Sequence, residues 1–132
     1  MEFMNSQETA LAKKQILGIV ELVQIRYGAG WRTIMARIDT GAECSSIDKK
    51  FAEEIELKKI EKGKIIRSAS GVARREMLKA MVKIKDQEFE TEFTIADRSN
   101  MKYKMLIGQN TLREGEFIID PKINNERRKQ KR

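Results

Sequence analysis

The chain has 132 residues, of which 40% are hydrophobic and 36% charged, and its formal net charge is +7. This composition predicts one highly charged globular domain with room for a single core. No apolar stretch approaches the roughly 18 residues that a membrane helix needs, and no signal-peptide core is recognisable. Cys44 is the only cysteine, which excludes an internal disulfide and fits a reducing compartment. We therefore expect a cytoplasmic protein that does not contact membranes.

The positive charge is concentrated at the C-terminal end of the chain. Residues 122–132 contain six basic side chains and one acidic side chain. A segment of this composition cannot bury apolar area, so we expect a disordered, solvated tail. It is expected to associate with RNA or the ribosome only weakly, through charge rather than sequence. With residues 1–14 as a polar lead-in, the predicted domain spans residues 15–121.

From Ile16 onward, the apolar pattern is typical of short β-strands. Two apolar runs, Ile16–Ile25 and Trp31–Ile38, flank a Gly-X-Gly turn and predict a β-hairpin. Asp48 is the predicted N-cap of a short helix that continues through Ile55. The remaining predicted elements are strands at 45–47, 64–67, 78–84, 89–95, 105–107 and 117–119, a turn at 68–71 and a helical turn at 109–113. The pattern predicts a mainly-β barrel or sandwich with one or two short helices.

The tripeptide Asp39-Thr40-Gly41 stands where an apolar strand breaks into a loop. An aspartate at that place presents its carboxylate to a cleft from the end of rigid structure. Gly41 lets backbone amides approach the carboxylate because it has no Cβ, and the Thr40 hydroxyl can bond to neighbouring backbone. By itself, the tripeptide is equally typical of an ordinary turn.

A second element, Met105-Leu106-Ile107-Gly108-Gln109-Asn110, follows far downstream and by itself predicts a buried strand that ends at a glycine. Together the two elements resemble the retropepsins, aspartic proteases in which an apolar strand ends in Asp-Thr-Gly-Ala and a later apolar-apolar-Gly segment leads into a helix. The resemblance is closer to the branch known as ATP-dependent zinc proteases, which accompany RimK-type glutamate ligases. Within Ile16–Pro121 it is carried by residues 36–46, 92–99, 101–103, 105–112 and 118–121.

This resemblance implies a mainly-β, retropepsin-like (acid protease) fold: a closed barrel of a single lobe, with Asp39, Thr40 and Gly41 as the catalytic tripeptide. Hydrolysing an amide without a metal or a covalent nucleophile needs two carboxyl groups that share a proton. The chain has one Asp-Thr-Gly, so the second carboxylate has to come from a second copy. We therefore expect a homodimer with Asp39 of both subunits at its two-fold axis.

The resemblance also implies a flap over the cleft at residues 68–75, with Ser70 and Gly71 as its flexible tip. Arg74 and Arg75 beside the tip suit an acidic peptide, although two arginines in an exposed hairpin are equally typical of a solvated surface. Ala42 completes the expected substrate-binding set. In the related branch, the ligase adds glutamates to a small-subunit ribosomal protein, so a poly-glutamate tail is the substrate hypothesis.

The residues give no support to the zinc and ATP in the name of that branch. The chain has no histidine and one cysteine, so the preferred nitrogen and sulfur ligands of zinc are missing. No Gly-rich loop ends in Gly-Lys-Ser or Gly-Lys-Thr to hold ATP phosphates. We expect neither a cofactor nor a bound metal. Cys44 follows the tripeptide closely, but without a histidine base it is expected to be a buried structural thiol.

Three alternatives remain open from the residues. The same barrel can serve as a non-catalytic peptide-binding or RNA-binding module, in which case Asp39 need not approach its symmetry mate. A small RNA-associated barrel would lose its affinity for RNA on removal of residues 122–132. A metal-dependent hydrolase would lose activity in the presence of a chelator.

Overall fold

The computed structural model describes residues 13–69 and 71–126. The strands are β1 (Gln15–Leu17), β2 (Val20–Tyr27), β3 (Gly30–Ile38), β4 (Ser45–Asp48), β5 (Lys59–Ser68), β6 (Gly71–Ile84), β7 (Gln87–Ala96), β8 (Met105–Ile107) and β9 (Phe117–Ile119). The helices are α1 (Lys49–Glu54) and α2 (Gln109–Glu114). Within the described residues, no helix has the length and apolar character needed to cross a bilayer.

Six of these strands form a closed barrel. Their order is β2-β3-β8-β4-β7-β6, and β6 returns to β2 through the pairing of Val23–Ile25 with Val82–Ile84. β5 pairs with the outer part of β6, and β1 pairs with β9 as a separate parallel ribbon. The predicted mainly-β closed barrel with two short helices is therefore confirmed.

Alternating apolar residues account for the barrel core. On β3, Ile34, Ala36 and Ile38 are buried, and on β6 the same is true of Leu78 and the three alternate residues that follow it. The β2–β3 hairpin turns at Gly28, whose backbone φ of +55° is one that residues other than glycine rarely adopt. The antiparallel pairing of β2 with β3 confirms the predicted hairpin. The glycine turn and the alternation of apolar residues both indicate this register.

The predicted helix start at Asp48 is also confirmed. Asp48 has extended backbone geometry, and its Oδ2 accepts a hydrogen bond from the N–H of Phe51 at 3.3 Å. Phe51, Ala52 and Ile55 face the core, as the pattern predicts. The cap fixes the end of β4, and β4 in turn pairs with β8, whose Ile107 carbonyl accepts a hydrogen bond from the N–H of Asp39.

The β5–β6 hairpin is much longer than its apolar pattern predicts. Its register shifts between Ile60 and Lys64, and beyond the shift the strands pair only with each other, from Lys64↔Arg75 to Ser68↔Gly71. Pairing of β6 with β7 begins at Met77. We call the two-stranded part (residues 64–68 and 71–75) the flap arm. Its charged and apolar residues do not alternate, so no apolar periodicity reveals its full length.

The fold continues past Pro121, where the expected tail begins. The N–H of Ile19 donates to the carbonyl of Ile123 at 2.8 Å, and the N–H of Asn125 donates to the carbonyl of Val20 at 3.2 Å. Asn125 is buried, and its side-chain amide donates a hydrogen bond to the buried carboxylate of Glu21. Residues 127–132, most of the expected tail, and residues 1–12 lie outside the described residues.

Candidate active site

Asp39 lies directly after β3, in a turn whose backbone is fixed on both sides. Its N–H donates to the carbonyl of Ile107 at 2.9 Å, and its carbonyl accepts from the N–H of Ala42 at 3.2 Å. Its Oδ1 accepts a hydrogen bond from the N–H of Gly41 at 3.0 Å. A Cβ on residue 41 would stand 3.3 Å from that oxygen, which is tighter than most real contacts. The carboxylate is thus held at the end of rigid structure, half-buried.

The loop after Asp39 is clamped by the start of α2. The side-chain amide of Gln109 donates to the carbonyl of Thr40 at 2.8 Å, and the backbone N–H of Gln109 donates to the carbonyl of Ala42 at 2.8 Å. Gly108 passes so close that a Cβ there would lie 2.7 Å from the carbonyl carbon of Cys44. This close approach explains why the segment after β8 needs a glycine, and it unites the two sequence elements in one structure.

A buried polar cluster beneath this loop was not foreseen from the sequence. The Ser45 hydroxyl accepts a hydrogen bond from the N–H of Gly108 at 2.9 Å and lies 2.5 Å from the Thr111 hydroxyl. Thr111 in turn lies 2.8 Å from the Thr91 hydroxyl, and Asn110 accepts from the N–H of Ser45 at 2.8 Å. The cluster ties α2, β4 and β7 together. Only the three-dimensional pairing of distant strands brings these short side chains into contact.

A cleft of about 640 Å³ opens between this loop and the flap arm. Ala42, Glu43 and Cys44 line it on the loop side, so Cys44 is half-buried in the cleft wall rather than buried in the core. Four basic residues line the rest of it together with a few neutral side chains: Lys64, Arg67, Arg75 and Arg98. Among the described residues of the lining, Glu43 is the only acid, so the cleft carries an excess of positive charge.

The residues predicted to form the flap have different surroundings in the structure. Gly71 directly follows the turn at the tip of the arm and has a φ of +128°, which only glycine adopts readily. Ser70 lies outside the described residues. Arg75 is half-buried and lines the cleft, whereas Arg74 is exposed and lies over Gly63 of β5. The two neighbouring arginines therefore have different surroundings.

Arg98 is the cleft residue that sequence reasoning missed. It follows β7, in a turn whose composition gives no sign of a site, yet only 9% of it is exposed. Its backbone N–H donates to Asp48 Oδ1 at 2.7 Å, and its Nε donates to the carbonyl of Tyr103 at 3.0 Å. Burial lowers the pKa of its guanidinium; Arg75 acts in the same direction, while Asp48 and Asp39 oppose it. Arg98 is thus within electrostatic range of Asp39.

The chain matches the model of one protein family over residues 48–130, well over half of its length. That family is RimB-like, described as "Retropepsin-like aspartic endopeptidase RimB". The chain belongs to the RimB-like family. The matched segment contains the flap arm, Arg98 and Gly108 but begins after Asp39. Among curated proteins, no match was found.

Solved structures similar to this RimB-like chain include retroviral proteases. A Legionella pneumophila protein of unknown function, Lpg0085, has a TM-score of 0.61 at 19% identity, covering 83% of this chain and 95% of its own. EIAV protease, in complex with the inhibitor HBY-793, has a TM-score of 0.56 at 18% identity, with coverage of 72% and 85%. Simian Foamy Virus (mac) protease has a TM-score of 0.50 at 17% identity, with coverage of 67% and 86%. At these identities the likeness establishes the retropepsin-like fold.

The description of the RimB-like family names neither zinc nor ATP. In residues 13–69 and 71–126, no three His, Cys, Asp or Glu side chains are grouped so that they could hold one metal ion. The residues around Asp39 therefore do not fit a zinc site. We derive no step of the chemistry through a metal or a nucleotide.

Proposed function

We propose that the protein is an aspartic endopeptidase that hydrolyses peptide bonds with Asp39 of two subunits acting as one catalytic pair. The observation that carries the proposal is the position of Asp39. Its carboxylate stands at the end of a barrel strand, with Oδ1 held by the N–H of Gly41; Asp39 does not itself line the cleft, but Ala42, Glu43 and Cys44 of the loop that follows it do. The family and the retropepsin-like fold support the same chemistry.

In the proposed dimer, two Asp39 carboxyl groups meet at the two-fold axis and share one proton, because two adjacent carboxylates cannot both ionise easily. The ionised carboxylate takes a proton from a water molecule, and the water oxygen bonds to the scissile carbonyl carbon. The protonated carboxyl gives its proton to the carbonyl oxygen. The tetrahedral intermediate then breaks its C–N bond: the amine leaves with a proton from one carboxyl group of the pair, while the other carboxylate takes a proton from a hydroxyl of the intermediate, which restores the shared proton.

We further propose an acidic substrate, in the form of a poly-glutamate tail on a protein. Four cationic side chains line the cleft against one acid, Glu43, and three of them belong to the flap arm. A peptide that carries several carboxylates would neutralise this excess, whereas a neutral peptide would leave it unbalanced. The RimK-type ligases of the resembling branch produce such tails, so this substrate would be available beside the enzyme.

Mixing wild-type protein with an Asp39→Asn variant tests whether the active unit is a pair. With a tenfold excess of the variant and random exchange of subunits, about one wild-type subunit in eleven keeps a wild-type partner. Cleavage of a poly-glutamate peptide per wild-type chain should fall to about that fraction. An Asp86→Asn variant, altered at an exposed turn, serves as the matched diluent and should leave the rate per wild-type chain unchanged. A rate that is equally insensitive to both diluents would contradict the dyad.

Separate alanine substitutions of the two flap arginines test the acidic substrate. Because Arg75 lines the cleft and Arg74 lies over Gly63, Arg75→Ala should reduce the preference for a glutamate peptide over its glutamine counterpart by about 3- to 10-fold. Arg74→Ala should have a smaller effect. The measurement is the ratio of kcat/KM for the two peptides. If neither variant changes that ratio, the flap arginines serve solvation and not recognition.

A further inference from the structure

Arg98 differs from the other cations of the cleft because it is buried in the barrel rather than carried by the flap arm. Charged side chains are almost never this deeply buried unless they are paired. Its backbone N–H donates to Asp48 and its Nε to the carbonyl of Tyr103, while its own carbonyl accepts from the N–H of Met101 and from Lys104 Nζ. Within residues 13–69 and 71–126, no carboxylate forms an ion pair with its guanidinium. The rest of the guanidinium therefore has a strong unused capacity to bind an anion.

The electrostatic surroundings of Arg98 increase this capacity. Arg75 belongs to the same cleft lining and is close enough to disfavour the charge of Arg98, while Asp48 and Asp39 favour it. Asp48 already accepts hydrogen bonds from two backbone N–H groups, those of Arg98 and Phe51. Asp39 is the proposed catalytic group. Asp48 and Asp39 lie near enough to oppose the repulsion between the two arginines, but in the described part of the chain neither is hydrogen-bonded to the guanidinium of Arg98, so an anion bound there would supply the paired hydrogen bonds that they do not.

We propose that Arg98, together with Arg75, forms a subsite that binds a substrate carboxylate close to the bond that is cleaved. The proposal rests on the proposed protease function and adds a specificity-determining residue to it. A guanidinium fits a carboxylate because its N–H groups lie in one plane and can donate two parallel hydrogen bonds. With Nε engaged by Tyr103, the two terminal nitrogens of Arg98 remain for the ligand. A lysine could supply the charge at this place but not the paired hydrogen bonds.

The carboxylate can come from a glutamate side chain or from the C-terminus of the substrate. Two series of peptides separate these sources. In the first, a poly-glutamate peptide is compared with relatives in which one glutamate at a time is replaced by glutamine. In the second, the same peptide carries either a free or an amidated C-terminus. Loss of one side-chain carboxylate or of the terminal one should lower kcat/KM by about 10- to 100-fold, which identifies the group that occupies the subsite.

An Arg98→Met variant tests the assignment. Its kcat/KM for the best peptide should approach the value for the peptide that lacks the critical carboxylate, while the rate on the latter changes only a few-fold. Arg26→Met is the matched control, because the Nε of Arg26 also donates to a backbone carbonyl, that of Gly28 at 3.1 Å, but Arg26 does not line the cleft. The control should keep the full preference. A preference that is the same in wild type and Arg98→Met overturns the proposal.

Binding measurements keep this test separate from the test of catalysis. Calorimetry on an Asp39→Asn protein should show tighter binding of the carboxylate peptide than of its neutral relative, and adding Arg98→Met should abolish the difference. Asp39-dependent cleavage with no role for Arg98 would refute the subsite and leave the protease intact. Carboxylate binding through Arg98 without any cleavage would support the subsite and refute the protease function. If Arg98→Met does not fold, Arg98→Lys and Arg75→Met replace it, and an unchanged preference in both overturns the subsite.

Discussion

Replacing Asp39 by asparagine is expected to lower kcat/KM by about 10²- to 10⁴-fold, the range that general acid–base catalysis contributes. An amide cannot take a proton from water or share one with its symmetry mate, so both proposed functions of the carboxyl group are lost together. The fold should not suffer, because an asparagine Oδ1 can still accept the hydrogen bond from the N–H of Gly41. The measurement is peptide cleavage by the purified variant, with thermal unfolding recorded beside it.

Asp86→Asn provides the control for this substitution, since Asp86 lies at the exposed β6–β7 turn and bonds to Gln15. Its activity should stay within about twofold of wild type. The proposed dimer should be about as stable in Asp39→Asn as in wild type, because two asparagines bring no charge to the axis and can still form hydrogen bonds there. Retained activity in Asp39→Asn would remove the aspartic mechanism, whatever the family of the chain.

Replacing Glu21 by alanine is expected to lower the free energy of unfolding by about 3 to 5 kcal/mol, the cost of removing one partner from a buried charge pair. Only 3% of Glu21 is exposed, and its Oε2 accepts hydrogen bonds from the N–H of Gly18 at 2.6 Å and from Asn125 at 2.5 Å. Lys85 Nζ lies 3.4 Å from Oε1. The alanine would leave three groups without this acceptor and remove the side-chain bond between the C-terminal segment and β2. Urea unfolding measures the loss.

Two further variants test whether the burial of Glu21 is the reason for this loss of stability. Glu21→Gln keeps an acceptor oxygen and should cost only about 1 to 2 kcal/mol. Glu116→Ala removes a carboxylate that is 65% exposed and lies 3.8 Å from Lys14, so it should cost less than about 0.5 kcal/mol. Equal losses for Glu21→Ala and Glu116→Ala would show that the buried cluster adds nothing to stability.

Local patterns predicted those parts of the fold in which one signal agrees with another. The β2–β3 hairpin combines alternation with glycines at its turn, and Asp48 combines an N-cap with the buried stripe of α1. A strand at 64–67 and a flap at 68–75 were expected, but the length of the β5–β6 hairpin escaped prediction because charged residues occupy both faces of the flap arm and leave no apolar period. The position of Asn125 was also not predicted. The segment around it has a basic composition typical of a solvated tail, and the bond of Asn125 to Glu21 joins residues that are far apart in sequence.

The site was predictable to the extent that it depends on local backbone chemistry. Asp39, Gly41 and Gly108 are recognisable because a turn or a close approach demands them where they stand. Arg98 belongs to the cleft only because β7 pairs with β4, so that the turn after β7 meets Asp48 at the end of the neighbouring strand. Strand neighbours that are distant in sequence leave no local trace, and the same reason concealed the cluster around Ser45 and Thr111.

Most of the positive charge of the cleft is carried by an element that the barrel holds at one end only. Lys64, Arg67 and Arg75 belong to the flap arm, whose strands pair with nothing but each other beyond the register shift. A two-stranded hairpin with no further strand beside it is only marginally stable in water. Lifting the arm would carry three cations away from a bound polyanion, and lowering it would return them. Closing of the arm about a hinge near Ile60 would then accompany substrate binding, and opening would accompany product release. The affinity for the proposed acidic substrate would depend on how far the arm is closed.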